Sequence, residues 1–163
     1  KFDVDINKLW KNLATEYKVI IPRTQKFLNW KYVDQPFMDY QIFSASKSNN
    51  LCGYIILRKT KPPESNSGII ADLFASRYDR KTLRSLLVFA MKYFSKEKVK
   101  YIHVASSIKE YEQTFRKLGF RFQKNAKPLF ISNEKNINVS LAFEPATWFL
   151  SRSDHDWDQY PYS

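Results

Sequence analysis

The segment 69–120 constrains the fold more than any other part of the chain, because it reads as strand, helix, strand, helix. An almost wholly apolar run, 69–75, contains one carboxylate, Asp72. Apolar residues at helical spacing follow it: Leu83, Leu86, Leu87, Ala90, Met91 and Phe94. A second short strand pattern covers 101–105, a second helix follows, and Gly119-Phe120 ends it. Strands this apolar are typical of neighbouring parallel strands covered on both faces, and ligands of such sheets bind beyond the strand carboxyl ends.

The elements around this unit favour an α+β fold. Apolar spacing predicts a first helix carrying Ile6, Leu9, Trp10, Leu13 and Tyr17, with Asp3 or Asp5 as its cap. Thr24 is predicted to cap a short second helix, and 39–46 with 51–59 to form an antiparallel hairpin. Short strand patterns follow Gly119. We therefore expect one domain over 1–163, with a mixed, mostly antiparallel twisted sheet and a central βαβα unit, either alone or as the C-terminal lobe of a longer protein.

Composition limits the possible functions. The 163 residues are 44% hydrophobic, which suits one substantial core. A single cysteine, Cys52, excludes an internal disulfide and a cysteine metal site, and it favours a cytoplasmic setting. No apolar stretch is long enough to span a membrane. The net charge of +11 is compatible with anionic partners, but lysines scattered over solvated faces explain it more simply. Nucleic acid is not favoured, because the rings within the basic stretch 116–127 read as buried.

Three sets of residues together carry a resemblance to a known family. The first is the helix end Phe115-Arg116-Lys117-Leu118-Gly119-Phe120. The second is Leu28-Asn29-Trp30-Lys31-Tyr32 with Pro36 and Tyr40. The third is Asp72-Leu73 followed by Trp148, Asp154 and Asp156. The chain, from about 10 to 157, resembles the GNAT acyltransferase superfamily, and more specifically GNAT-like proteins associated with bacterial polysaccharide genes.

The resemblance implies a sheet that splays near Asp72 and admits acetyl-CoA or another acyl-CoA. The exposed backbone of Leu73, Phe74 and Ala75 would pair with the pantetheine amides. The turn 77–84 would face the pyrophosphate at a helix N-terminus. The family's glycine-rich phosphate turn is absent, since Lys81 and Leu83 occupy the places of its two glycines. Phosphate contacts would then come from the turn and its side chains: Arg77, Arg80, Lys81, Thr82 and Arg84.

Three residues are candidates for catalysis. Asp72, in an apolar strand beside Ile70 and Phe74, is either a general base or a carboxylate held by structural hydrogen bonds or by a basic partner. His103 is either a proton relay near Asp72 or a satisfied core histidine. Tyr111 is a substitute acid toward the thiolate, because Phe115 stands where the family often has tyrosine, or a packing residue whose hydroxyl reaches solvent.

Other features have structural interpretations first. Ser107 and Glu110 fit a capping box. The alternating Asp154, Asp156 and Asp158 lack the pattern of a calcium loop and read as a solvated tail, so no metal is expected. Several aromatic residues could line an acceptor cleft or pack in the core: Trp30, Tyr32, Tyr40, Trp148 and Trp157.

The leading hypothesis is an acyl-CoA-dependent N-acyltransferase acting on a small-molecule or glycan amine such as an amino sugar. Asp72 would be its base, and backbone N–H groups of 73–75 would hold the oxyanion. The alternatives are a non-catalytic GNAT-like binding or scaffold lobe and aminoacyl transfer to a glycan or peptide precursor. An N-terminal lobe or a homodimer would be the protein partner.

Overall fold

The computed structural model describes residues 1–60, 66–123 and 147–154. Four helices form: α1 (Asp5–Ala14), α2 (Gln25–Tyr32), α3 (Arg80–Lys96) and α4 (Lys109–Lys117). The strands are β1 (Val19–Ile20), β2 (Tyr40–Lys47), β3 (Asn50–Lys59), β4 (Ser67–Ala75), β5 (Tyr101–His103) and β6 (Trp148–Phe149). A short 3-10 turn, Arg152–Asp154, follows β6. The strand patterns predicted between 124 and 146, and Asp156, Trp157 and Asp158, lie outside the described residues.

The main sheet has the order β2-β3-β4-β5. The first three strands are antiparallel and β5 runs parallel to β4, so the predicted mixed sheet and central βαβα unit are confirmed. β1 and β6 form a separate parallel pair. β4 is buried along its whole length, because helices cover both of its faces.

Each face of the sheet packs against a different layer. On one face, α1 places Trp10 against Phe74, and Phe2 packs edge-on to Tyr54. On the other face lies α3, whose Phe94 ring comes so close to Gly68 that a Cβ atom there would meet ring carbons at 2.5 Å. The apolar spacing predicted for α3 is confirmed at Leu83, Leu86, Leu87, Ala90 and Phe94, all buried.

Local sequence signals determine where several helices and strands begin and end. Thr24 caps α2 as predicted, accepting a hydrogen bond from the Phe27 N–H. The β2–β3 turn places Ser48 and Asn49 at φ of 48° and 64°, the left-handed pair that suits a tight hairpin. Of the two caps predicted for α1, Asp3 is confirmed, because its Oδ1 accepts a hydrogen bond from the Asp5 N–H at 3.1 Å. Val4 between them already has helical dihedral angles, and Asp5 lies inside the helix.

A register shift in β4 changes which residues share a face. Asp72 pairs with Ile56 and Ile70 pairs with Leu57, so Ala71 is an extra residue that forms a bulge. Asp72 and Phe74 therefore lie on the α1 face, whereas Ile70 lies on the α3 face. The prediction that Ile70, Asp72 and Phe74 alternate on one face is wrong, because period-2 reasoning assumes an uninterrupted ladder.

Candidate functional site

The parallel strands β4 and β5 separate soon after they meet. Their pairing runs from Ser67–Tyr101 to Ile69–His103 and stops there, six residues before β4 ends at Ala75. The chain after β5 instead pairs Ser106 with Ser151. Between β4 and this diverging chain lies a narrow cleft, which we call the wedge, lined by 70–73, 104–106, Tyr111, Phe115 and Ser151. The predicted splay near Asp72 is present, but side chains fill the wedge and leave no room for a water molecule.

Tyr111 closes the outer part of the wedge. Its hydroxyl accepts a hydrogen bond from the Ala75 N–H at 2.9 Å and donates one to the Ala75 carbonyl. The ring is buried, and burial raises the pKa of Tyr111 well above its usual value. The prediction of a solvent-reaching hydroxyl is therefore wrong. The backbone of Leu73, Phe74 and Ala75 is buried as well, not exposed as expected.

Asp72 is the centre of a buried polar network. Its Oδ2 accepts a hydrogen bond from the Tyr54 hydroxyl at 2.7 Å, and its Oδ1 accepts bonds from Ser151 Oγ and the Leu73 N–H. The Nε atom of Arg23 lies 3.6 Å from Oδ2. Of the two roles considered for Asp72, the geometry fits the structural one better, because both oxygens are already engaged.

The network continues from Asp72 through Arg23 to the end of the described chain. The Arg23 guanidinium is fully buried and contacts Asp154 at 2.7 Å, while also donating to Ser151, Ser153 and the Ile21 carbonyl. Burial opposes the charge of Arg23, but the two carboxylates outweigh it and raise the pKa of that guanidinium. Asp154 is buried, so reading it as part of a solvated tail is wrong.

On the predicted phosphate side, two features differ from expectation. Arg77 donates from Nη2 to both carboxylate oxygens of Glu110, at 2.9 and 2.8 Å, so this terminal nitrogen is occupied. Glu110 is thus not part of a capping box with Ser107, whose hydroxyl instead binds the 148–150 backbone.

At the start of α3, Asp79 accepts hydrogen bonds from the Thr82 N–H and hydroxyl, which lower the pKa of Asp79. An anion of the chain itself therefore occupies this helix N-terminus.

A basic groove nevertheless opens beside that N-terminus. A cavity of about 150 Å³ lies between α3 and α4, lined by Arg80, Arg84, Gln113, Thr114, Lys117 and Leu118. Of its three cations, Arg80 makes only a long contact, 3.4 Å, to Gln113. No acidic residue lines the groove in the part of the chain described. Lys81 is exposed and does not line the groove. Of the residues predicted to bind phosphate, the groove contains Arg80 and Arg84, and Lys117 lies there as well.

His103 lies where the strands begin to separate. It pairs with Ile69, three residues before Asp72 in β4, so the two do not adjoin in register. Its side chain is half-buried and makes no hydrogen bond to any residue within the described ranges. Burial and the nearby Arg152 lower the pKa of His103, which favours the neutral ring.

The predicted acceptor aromatics do not form one surface. Tyr32 and Tyr40 are buried and pack edge-on to each other, whereas Trp30 is 64% exposed. Trp148 lies in β6, half-buried, and Trp157 lies outside the described residues. Within the described ranges, no group of His, Cys, Asp and Glu side chains is arranged to hold a metal ion. None of the helices described there has the length and apolarity that crossing a bilayer requires.

Comparison with solved structures supports the fold. The protein TTHA1254 from Thermus thermophilus superposes with a TM-score of 0.54 at 15% identity, over 82% of this chain and 96% of that one. An aminoglycoside acetyltransferase from an uncultured soil metagenomic sample superposes with a TM-score of 0.52 at 14% identity, over 81% and 88%. No protein-family model and no curated protein matches the sequence. The chain has the α+β fold of the GNAT acetyltransferases.

Proposed function

We propose that the chain is an N-acyltransferase lobe that takes an acyl group from acyl-CoA and transfers it to an amine. The observation that carries this proposal is that α4 lines two cavities: Tyr111 and Phe115 line the wedge, and Lys117 lines the basic groove with Arg80 and Arg84. An acyl-CoA is a narrow acylated arm joined to a highly charged phosphate group. A strand wedge next to a cationic groove matches both parts, because guanidinium groups bind phosphate through charge-assisted hydrogen bonds.

The protein would bind the phosphate end of the donor through side chains and the acyl arm of the donor through backbone groups. Asp79 occupies the α3 N-terminus, so the groove cations and not the helix N–H groups would hold the phosphates. In the wedge, the Tyr111 hydroxyl both donates to the carbonyl of Ala75 and accepts from its N–H. Two amides of the donor arm would replace these bonds, one accepting from the Ala75 N–H and the other donating to the Ala75 carbonyl, because the N–H and C=O of a single trans amide point in opposite directions.

The chemistry requires a neutral amine to attack the thioester carbonyl. The new C–N bond forms, the C–S bond breaks, the leaving thiolate gains a proton and the amine loses one. We assign the base to His103, because its lowered pKa favours the neutral ring and no described residue occupies its nitrogens. Asp72, whose oxygens are already engaged, would position Ser151 in the wedge.

Several finer expectations stay predictions. They are an amino-sugar acceptor, the association with bacterial polysaccharide genes, a cytoplasmic location, an N-terminal lobe or a homodimer, and aminoacyl transfer in place of acyl transfer. Of the described aromatic residues predicted for an acceptor cleft, Trp30 is the one with an exposed ring, and an exposed ring can pack against a sugar.

A second candidate function, a non-catalytic binding or scaffold lobe, has its own support. Tyr111 on Ala75 and Asp79 at the α3 N-terminus fill the two places that a donor would otherwise take. A lobe that had no use for acyl-CoA would gain stability from both contacts.

Titration calorimetry with CoA separates the two functions. Under the acyltransferase proposal the protein binds CoA, and Arg84→Glu weakens the affinity about tenfold or more, because a phosphate contact is lost and a repulsion gained. Arg116→Glu is the matched control: it makes the same charge change on α4, at a residue that pairs with Glu112 and does not line the groove. The absence of CoA binding at millimolar concentration, in the wild type and in Tyr111→Phe alike, would favour the scaffold lobe.

A further inference from the structure

The outer edge of β2 pairs with no strand among the described residues. β2 is the first strand in the order of the main sheet, so only the side that faces β3 is paired. The strand is eight residues long, and the register shift in its pairing with β3 leaves Cys52 as the extra residue. The bulge therefore lies in β3, and β2 itself is regular. A long, regular edge is a template for a further strand.

This edge lacks the features that usually protect an edge strand. Those features are a proline, a charged residue within the strand, a bulge in the strand itself or a very short strand. The stretch 40–46 contains neither a charged residue nor a proline. The opposite edge of the sheet, β5, is by contrast only three residues long. β2 is therefore the edge of this sheet at which another strand can add.

Two exposed residues of opposite charge lie at the two ends of this edge. Asp39 comes directly before β2, and Lys47 is its last residue. They are eight positions apart, about 26 Å along an extended strand, so they cannot pair with each other within one chain. Neither of them forms an ion pair with a residue in the described ranges.

Both charged residues belong to the face of β2 that packs on α3. The ring of Phe43 contacts Phe89 and Tyr93 of α3, which fixes the face on which Phe43 lies. Asp39 and Lys47 are each an even number of residues from Phe43, so the alternation of the strand places them on the same face.

A second copy of the chain matches this edge in one particular register. Two β2 strands related by a two-fold axis normal to the sheet run antiparallel, with their α3 faces on the same side. Phe43 lies midway between Asp39 and Lys47, so an axis at Phe43 places Asp39 of each copy opposite Lys47 of the other. An axis at Ile42 or Ser44 would place neither charge opposite its counterpart.

The side chains beside the edge fit the same register. Phe43 lies 4.6 Å from Phe89 and 5.5 Å from Tyr93 between ring centres, and Phe89 is 42% exposed. Residues directly opposite each other in an antiparallel pair have Cβ atoms about 5 Å apart, so the two Phe43 rings would meet at the axis. One acid and one base over 39–47 leave this surface without net charge, although the chain carries +11.

We propose that two copies of the chain associate through the outer edges of their β2 strands, with Phe43 on the two-fold axis. Main-chain hydrogen bonds join the two sheets into one, as in other cases of strand addition. The two pairs of Asp39 with Lys47 fix the register. The wedge lies on the far side of β4 from this edge, so the inference does not depend on the proposed function.

Sedimentation equilibrium tests the interface by charge reversal. At high micromolar concentration, the wild type gives twice the 19.4 kDa of one chain. Lys47→Asp places two acids opposite each other at both ends of the interface, and Asp39→Lys places two bases there. Each raises the dissociation constant of the dimer about tenfold or more. The double variant Asp39→Lys/Lys47→Asp rebuilds both ion pairs and regains the affinity of the wild type.

The two single variants change the net charge in opposite directions, so an effect of overall charge cannot weaken the dimer in both. Lys109→Asp is the matched control, because it makes the same charge change as Lys47→Asp at an exposed residue of α4, the helix that closes the wedge. It leaves the dissociation constant unchanged. Thermal unfolding followed by circular dichroism confirms that each variant is folded.

Two results would overturn the inference. One is a wild type that stays monomeric at high micromolar concentration. The other is a dimer that the single variants do not weaken or the double variant does not restore, since such a dimer uses another surface or another register.

Discussion

The buried pair of Asp72 and Arg23 gives the strongest prediction about stability. Asp72→Asn keeps the size of the side chain but removes the charge that faces Arg23 Nε at 3.6 Å. The new amide can accept on one side only, whereas Asp72 accepts from Tyr54, Ser151 and Leu73 on both. Removing one carboxylate from a buried ion-pair network costs about 3–5 kcal/mol, because three donors lose a charged acceptor and Arg23 keeps only Asp154. For a chain of this size, that corresponds to a fall in melting temperature of roughly 6–20 °C.

Urea unfolding followed by circular dichroism measures this change. Glu97→Gln is the matched control, because it makes the same kind of substitution in the exposed pair of Glu97 with Lys59. An exposed pair contributes about 0–1 kcal/mol, so the control changes stability little. A loss for Asp72→Asn as small as that of Glu97→Gln would refute the reasoning, since it would mean that Asp72 is not held by the network.

Three further predictions concern packing, proton transfer and the groove. Gly68→Ala, whose Cβ would meet the Phe94 ring at 2.5 Å, lowers stability by about 1–3 kcal/mol in the same unfolding assay. His103→Gln lowers kcat without changing the CoA affinity. In the wild type, kcat/KM falls as the pH drops through the lowered pKa of His103, because the base must be neutral. An unchanged pH profile in the variant would exclude His103 as the base. Asp79→Asn preserves the α3 cap but removes a negative charge beside the groove, so CoA binds more tightly by calorimetry. In the wild type, Asp79 loses its contribution to stability as the pH falls through its lowered pKa, and this part of the acid-side loss is absent in the variant.

The elements with repeated local patterns could be predicted from the sequence. The apolar run of β4, the helical spacing of α3 and the Thr24 cap each depend on neighbours in the chain, and each is present. The parallel β4–β5 pair follows from strand–helix–strand order. The capping box at Ser107 and Glu110 failed for the opposite reason, because distant partners, the 148–150 backbone and Arg77, bind those side chains.

The polar parts of the site could be predicted only in outline. Asp72 itself indicated that a partner must exist, since a carboxylate in an apolar strand requires one. Nothing local singled out Arg23, which lies between two helices, or Asp154, which is 131 residues further along. Tyr17 was predicted as an apolar residue of the first helix. The packing of its ring against Phe149 could not be read from spacing, because that contact depends on which side chains the fold brings together.

A crystal structure of the protein with acetyl-CoA tests the central claim most directly. We expect the phosphates within hydrogen-bond distance of Arg80, Arg84 and Lys117, the acyl arm between β4 and β5, and the Tyr111 hydroxyl displaced from Ala75. Crystals grown at saturating acetyl-CoA that show an empty groove, with Tyr111 still bonded to Ala75, would contradict it.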